Sequence, residues 1–177
     1  MELKTFIVCL NKDIALNIAK EVIQLDDNLS IAPEFTTSIN YKNEITDTYK
    51  CYLDISTANL AYKNNSLLYI KTYDYISSGI TIDDFYNNDI CFMDIKEFNL
   101  ISENVFNKYN ILVVWIDFKY HNGITNSDMI EINYFTQFLE KNDYLYFLND
   151  EANISETILE YIKGDELSRK ELLESNN

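Results

Sequence analysis

The tripeptide Asn11-Lys12-Asp13 stands where an apolar run, Thr5 to Leu10, gives way to a stretch with apolar residues at Ile14, Ile18 and Val22. A strand and a helix with a lysine at their joint can bind phosphate, provided that a glycine-rich loop lets bare backbone N–H groups close around the anion. This joint has no glycine, and Asp13 puts a negative charge where a phosphate would sit. Phosphoryl transfer also leans on arginine, for bidentate contacts and for charge that develops in the transition state. The one arginine is Arg169, close to the C-terminus. Lys12 remains as the candidate phosphate-binding lysine, set before the helix and beside Asp13.

Other chemistry has less to stand on. His121 is the sole histidine and follows Phe118-Lys119-Tyr120 without a neighbouring nucleophile or acid to serve, which reads as a surface loop. The pairs Asp26 with Asp27, Asp83 with Asp84, and Asp94 with Asp117 suggest magnesium on paper. Carboxylates hold that ion poorly without substrate phosphates, and a chain with 29 acidic residues yields such pairs by chance. Neither a metal nor a cofactor is expected. Tyrosine is abundant, and Ser66 to Ile76 brings Tyr69, Tyr73 and Tyr75 close together. Such rings either form a recognition surface, where they offer large area at little entropic cost, or cover a sheet face.

Composition narrows the class. With 177 residues, 47% hydrophobic and 14% aromatic, the chain can bury the core of one domain. A net charge of -15 repels nucleic-acid backbones and anionic lipids, so a basic protein is the better partner unless the charge serves only solubility. Cys9, Cys51 and Cys91 lie in strand-like runs without CxxC spacing, as reduced, buried residues of an intracellular protein do. The longest uncharged apolar run, Ile111 to Ile116, is too short for a bilayer, and Met1 to Leu10 lacks the features of a signal peptide. Cytoplasm or nucleus is the expectation, with a virion interior compatible. The wealth of Asn, Ile, Lys and Tyr suggests an AT-rich genome, such as that of a large DNA virus, in which lysine often replaces arginine.

The elements that must position these residues alternate along the chain. After the first strand and helix, Ser30 to Glu44 is extended and polar, and Thr48 to Ile55 and Ser66 to Ile76 are strand-like. A short helical turn over Asp83 to Asn88 precedes an apolar strand, Asp89 to Ile95. Phe98, Ile101 and Val105 recur at helical spacing before a second apolar strand, Asn110 to Phe118. Ser127 suits a cap for a helix with the face Ile130, Tyr134 and Phe138, joined by Phe135 and Leu139. Asp143 to Asp150 is a last strand, Asn153 with Glu156 resembles a capping box, and Gly164 ends the helix of Ile154, Ile158 and Ile162. Apolar strands separated by helices predict a three-layer α/β domain around a parallel sheet covered on both faces. Residues 165–177 form an acidic tail, helical or frayed.

These segments, in this order, resemble the guanylate kinase family, including the inactive guanylate-kinase-like domains of scaffold proteins. Thr36 to Leu53 lines up without a gap on the family's segment that opens with two threonines, with Thr36, Thr37, Glu44, Tyr52 and Leu53 in agreement. Cys91 to Ile101, Ile111 to Phe118 and Asn142 to Ile162 are similar to later segments. The resemblance implies a P-loop-kinase-like parallel sheet over residues 1–164. It also implies a small mixed β lobe at 30–80, the degenerate counterpart of the nucleotide-monophosphate lobe, and a shortened lid at 119–128. The family's two phosphate-binding arginines fall on Ser38 and Tyr41, and its phosphate-binding tyrosine on Lys50, with Tyr49 adjacent. The base-reading glutamate falls near Tyr69, and a glycine-rich tyrosine turn has become Ile76 to Gly79. Asp94 matches an aspartate near the guanine site. Ser38, Tyr41, Tyr49, Lys50, Tyr69, Tyr73 and Asp94 would thus line the old cleft, with Asn11, Lys12 and Asp13 in place of the phosphate loop. Loss of a single arginine that stabilises the transferring phosphate costs on the order of 10³ to 10⁵ in rate. A catalytically inactive interaction or structural module is therefore expected. The alternatives are an atypical kinase using Lys12, Lys42 and Lys50 in place of arginines, and an acidic decoy of a nucleic-acid-binding surface.

Overall fold

The computed structural model describes residues 3–42, 49–117, 124–140, 142–164 and 166–176. In chain order the first elements are β1 (Leu3–Cys9), α1 (Lys12–Leu25), β2 (Glu34–Thr36), a 3-10 turn (Ile39–Lys42), β3 (Lys50–Tyr52) and α2 (Ile55–Lys63). The hairpin β4 (Leu67–Tyr73) and β5 (Ile76–Thr81) comes next, then α3 (Ile82–Asn87), β6 (Ile90–Asp94), α4 (Ile95–Phe98) and α5 (Glu103–Lys108). The chain continues with β7 (Asn110–Asp117), α6 (Asn126–Leu139), β8 (Asp143–Leu148), α7 (Ile154–Lys163) and α8 (Glu166–Asn176).

Four of these strands form an all-parallel sheet in the order β6-β1-β7-β8. Because strand side chains alternate between faces, a strand covered on both sides must be apolar at every position. Phe6, Val8, Met93, Val113 and Trp115 face α4 and α6 and pack with Phe98 and Phe135. Ile7, Cys9, Phe92, Val114 and Ile116 face α1 and α7 and pack with Ala15, Val22, Ile158 and Tyr161. Phe6 stacks on Phe85 at 5.6 Å and meets Phe98 edge-on at 5.8 Å, a geometry that adds about 0.5–1.5 kcal/mol per pair to area burial.

The other strands form a mixed sheet in the order β3-β2-β5-β4, with β2 parallel to β3 and the remaining pairs antiparallel. The expected three-layer α/β domain with a small mixed β lobe is what the chain builds. No helix among the described residues is long and apolar enough to cross a membrane.

Several local expectations give way to tertiary and capping interactions. Ile76 to Gly79 is not a turn but the start of β5, and the turn is Asp74-Tyr75. Gly79 is required in the strand, because a Cβ there would collide with the Tyr69 carbonyl oxygen. Ile55 does not end a strand but begins α2, which the Asp54 carboxylate caps by accepting from the Thr57 N–H. The spacing of Phe98, Ile101 and Val105 spans two helices, since α4 ends at Phe98 with Asn99 as its C-cap, and Ser102 caps α5 anew. Thr125, not Ser127, caps α6 through a reciprocal box with Asp128. The buried face of that helix is Phe135 and Leu139, while Ile130 and Tyr134 are exposed. Asn153 makes no capping bond, because it adopts the left-handed conformation at φ 67°. Cys9 and Cys91 are buried as expected, but Cys51 is exposed on β3, an outer strand of the small sheet. The tail from residue 166 is helical, with Leu172 and Leu173 on the core and Arg169 donating to the carbonyls of Tyr161 and Ile162.

The β4–β5 turn is strained. Asp74 and Tyr75 both hold positive φ, 46° and 69°, a requirement normally met by Asn-Gly. Left-handed backbone costs a side-chain-bearing residue roughly 1–2 kcal/mol, and Tyr75 recovers nothing by packing, since it is 95% exposed. Tyr75→Gly should therefore raise the unfolding free energy by about 1 kcal/mol, read as a higher urea midpoint with an unchanged slope.

Candidate functional site

Helix α1 opens two residues after β1. Asn11 caps it, its side-chain oxygen accepting from the Asp13 N–H at 2.9 Å, and Asp13 lies exposed in the first turn. With the helix start satisfied by its own side chain, Lys12 is the first helical residue and turns its stem into the cleft between the two sheets. Its Nζ lies 2.7 Å from Glu34 Oε1, 2.8 Å from Glu97 Oε2 and 3.3 Å from the Tyr69 hydroxyl. It also stands 5.5 Å from the centre of the Phe92 ring. A second lysine completes the cluster: Lys71 Nζ is 3.0 Å from Asp94 Oδ2 and 3.6 Å from Glu97 Oε1.

Two elements fix the acidic side. Asp94 ends β6 and caps α4, accepting from the Glu97 N–H at 2.8 Å, while the Glu97 carboxylate accepts from the Asp94 N–H at 3.1 Å. This capping box orients Glu97 toward both lysines, and Glu97 is only 3% exposed. Burial pushes its carboxyl above the ordinary value, and Lys12 pulls it back. Burial lowers Lys71, but Asp94 and Glu97 outweigh it and the net direction is upward. Burial and the negative charges of Glu97 and Glu34 push Tyr69 well above the usual tyrosine range, so it remains a neutral hydroxyl.

Glu34, Tyr69 and Lys71 belong to the small sheet, whereas Lys12, Asp94 and Glu97 belong to the parallel-sheet body. The cluster therefore ties the two together across the cleft. Its three carboxylates, Glu34, Asp94 and Glu97, exceed its two ammonium groups, so the cluster has no surplus positive charge to offer an anion. Two of the three Lys12 ammonium donors are held by buried carboxylates and the third faces the Tyr69 hydroxyl.

The remaining expected residues are dispersed. Ser38 donates its N–H to Thr36 Oγ1 at 3.3 Å just beyond β2. Tyr41 lies in the 3-10 turn, its side chain outside the described residues. Tyr49 leaves the cleft for α1, where the Lys20 ammonium sits 4.9 Å from its ring centre. Lys50, on β3, is paired in register with Glu34 on β2. Of the three tyrosines expected together, Tyr69 is buried against Lys12, while Tyr73 and Tyr75 project from the hairpin end. Asp94 has the structural part of a helix cap. His121 and residues 119–123 of the expected lid lie outside the described residues, and residues 126–128 are the first turn of α6.

Among the described residues no group of three or more His, Cys, Asp and Glu is arranged to hold a metal. Of the carboxylates considered for magnesium, Asp26 pairs with Lys163 at 2.8 Å and Asp84 accepts from Thr81 at the start of α3. Burial raises the thiols of Cys9 and Cys91, which removes them as nucleophiles near neutral pH. A cavity of about 580 Å³ lies away from the cleft, between α1 and the start of α7, lined by Asn17, Glu21, Glu151 and Glu156.

Sequence reasoning missed Glu34, Lys71 and Glu97. The Asp94-x-x-Glu97 spacing carried a legible capping-box signal for one of them. Glu34 and Lys71 reach their partners only through pairing of distant segments.

No protein-family model matches the sequence, and no curated protein matches it. Among solved structures, the guanylate kinase from Anaplasma phagocytophilum is similar at a TM-score of 0.59 and 13% identity, covering 98% of this chain and 94% of that one. At that identity the likeness establishes the fold, which is guanylate-kinase-like, and nothing finer.

Proposed function

We propose that the chain is a catalytically inactive guanylate-kinase-like domain that serves as a protein interaction or structural module. The observation that carries this reading is the capture of Lys12 by Glu34 and Glu97. The lysine nearest the old phosphate site is spent on holding the cleft shut. The self-capped start of α1 and the scarcity of arginine agree with it, since both remove contacts that phosphoryl transfer needs. The kinase alternative would need Lys12 to release two buried carboxylates each time nucleotide entered. The decoy alternative asks for acidic charge arranged against a basic surface, and no described cluster favours it over a solubilising role.

The test is a thermal-shift series on the full chain with GMP, dGMP, TMP, ATP and ADP, each with and without magnesium. A bound ligand at about 100 times its dissociation constant adds roughly 2.7 kcal/mol, a shift of several degrees for a domain of this length. The expected panel is flat, and GMP phosphorylation by ATP is expected to be undetectable. A clear shift with any of these nucleotides, accompanied by turnover, would overturn the proposal in favour of the lysine-based kinase.

A further inference from the structure

Three independent features meet at β4. It is the outer strand of the small sheet, with β5 on one side and no described strand on the other. The two-residue turn closes on Tyr73 and Ile76, which makes 73/76 and 71/78 the hydrogen-bonded pairs, so Ile70 and Thr72 turn their N–H and C=O groups outward. Outer strands are normally guarded by proline, a bulge or an outward lysine. The half of β4 from Ile70 to Tyr73 has none of these: the register irregularity lies at Leu67/Tyr69, and Lys71 is drawn into the cleft by Asp94.

Charge is the second feature. Residues 30–80 hold Glu34, Glu44, Asp47, Asp54 and Asp74 against Lys42, Lys50, Lys63 and Lys71, a net of -1, so the rest of the chain carries -14 of the total -15. The third is apolar surface. Half of the exposed large apolar side chains among the described residues fall within residues 30–80, under a third of the chain. Ile39, Tyr73, Tyr75 and Ile76 gather at the hairpin end, where Ser77 and Thr37 are bonded to each other.

We propose that this edge docks a second copy of the chain, β4 against β4 in antiparallel fashion, continuing the small sheet across a twofold axis. Identical strands paired antiparallel satisfy each other's outward groups by symmetry. Two copies meeting at this near-neutral lobe also face less repulsion than the net charge of the whole chain would impose. A basic partner, by contrast, finds its complement on the body and has no charge reason to choose this edge. The inference is independent of whether the cleft binds nucleotide.

Sedimentation velocity of the full chain over a concentration series, at low and high sodium chloride, tests it. The expected result is a monomer–dimer equilibrium that tightens several-fold as salt screens the residual repulsion. Thr72→Pro removes an outward N–H without touching the β5 ladder and should weaken the dimer at least about tenfold. Should proline disturb folding, Thr72→Lys guards the same edge and should act likewise, and Tyr75→Gly should weaken the dimer while stabilising the monomer. A monomer up to about 500 µM, a dimer untouched by all three variants, or one dissociated by salt would each overturn the proposal.

Discussion

Replacing Lys12 by methionine should destabilise the protein by about 3–5 kcal/mol near neutral pH, the usual consequence of leaving buried carboxylates without their cation. Methionine keeps most of the length of the stem, so the loss isolates the ammonium group, including its position over the Phe92 ring. Glu34 and Glu97 would then lose the cation they share, leaving Glu97 with Lys71 at 3.6 Å. For a chain of this length the melting point should fall by roughly 10 °C. A lysine reserved for phosphate would behave differently, since its removal relieves rather than creates an unpaired charge. A change within about 0.5 kcal/mol, the range of ordinary surface substitutions, would refute the assigned role.

The pH dependence has a defined sign. Burial already holds the Glu97 carboxyl above its ordinary value of 4.5, and loss of Lys12 removes the largest opposing influence. A carboxyl raised in the folded state favours the native form while it is protonated. That contribution is fully present below the unfolded value and is lost as pH rises through the folded one. The deficit of Lys12→Met should therefore be smallest near pH 4.5 and grow toward neutrality, measured by urea unfolding at several pH values. Adding Glu97→Gln and Glu34→Gln to the variant should recover much of the loss and flatten that dependence.

The parallel sheet was legible because its strands are buried on both faces, and continuous apolar runs such as Ile111 to Ile116 leave few other readings. Helix α2 was not, since Ala58 is its one buried residue while Leu60 and Tyr62 are exposed, so no apolar period marks it. The face of α6 was misjudged for a related reason: Ile130, Tyr134 and Phe138 have the right spacing, but packing on Phe98 and Trp115 selects Phe135. In the cleft, the lack of glycine and the acidic Asp13 at Asn11 to Asp13 could be read directly, because they are matters of local residue type. The charge network around Lys12 could not, because Lys12 meets Glu97 across 85 positions and Lys71 meets Asp94 across 23. Neighbouring tyrosines parted company too, Tyr69 into the cluster and Tyr75 into solvent, since the strand that buries the first has reached its turn at the second.

Gly79→Ala should cost about 3 kcal/mol, toward the upper end for overpacking, because the new methyl meets the Tyr69 backbone carbonyl rather than a flexible side chain. The Phe35 ring, 3.1 Å from the same point, crowds the β2 side as well. Relief must come from moving β4 away from β5, and β4 carries both Tyr69 and Lys71 into the cleft. The substitution should thus loosen the charge cluster without altering any charged residue. A double-mutant cycle with Lys12→Met separates that effect from local strain. If strand placement sets the network, Lys12→Met should cost at least about 1 kcal/mol less in the Gly79→Ala background, because the carboxylates there are already partly hydrated. Strict additivity would mean that Lys12 keeps its partners whatever the placement of β4, with Glu34 on β2 and Glu97 on α4 sufficient to hold it.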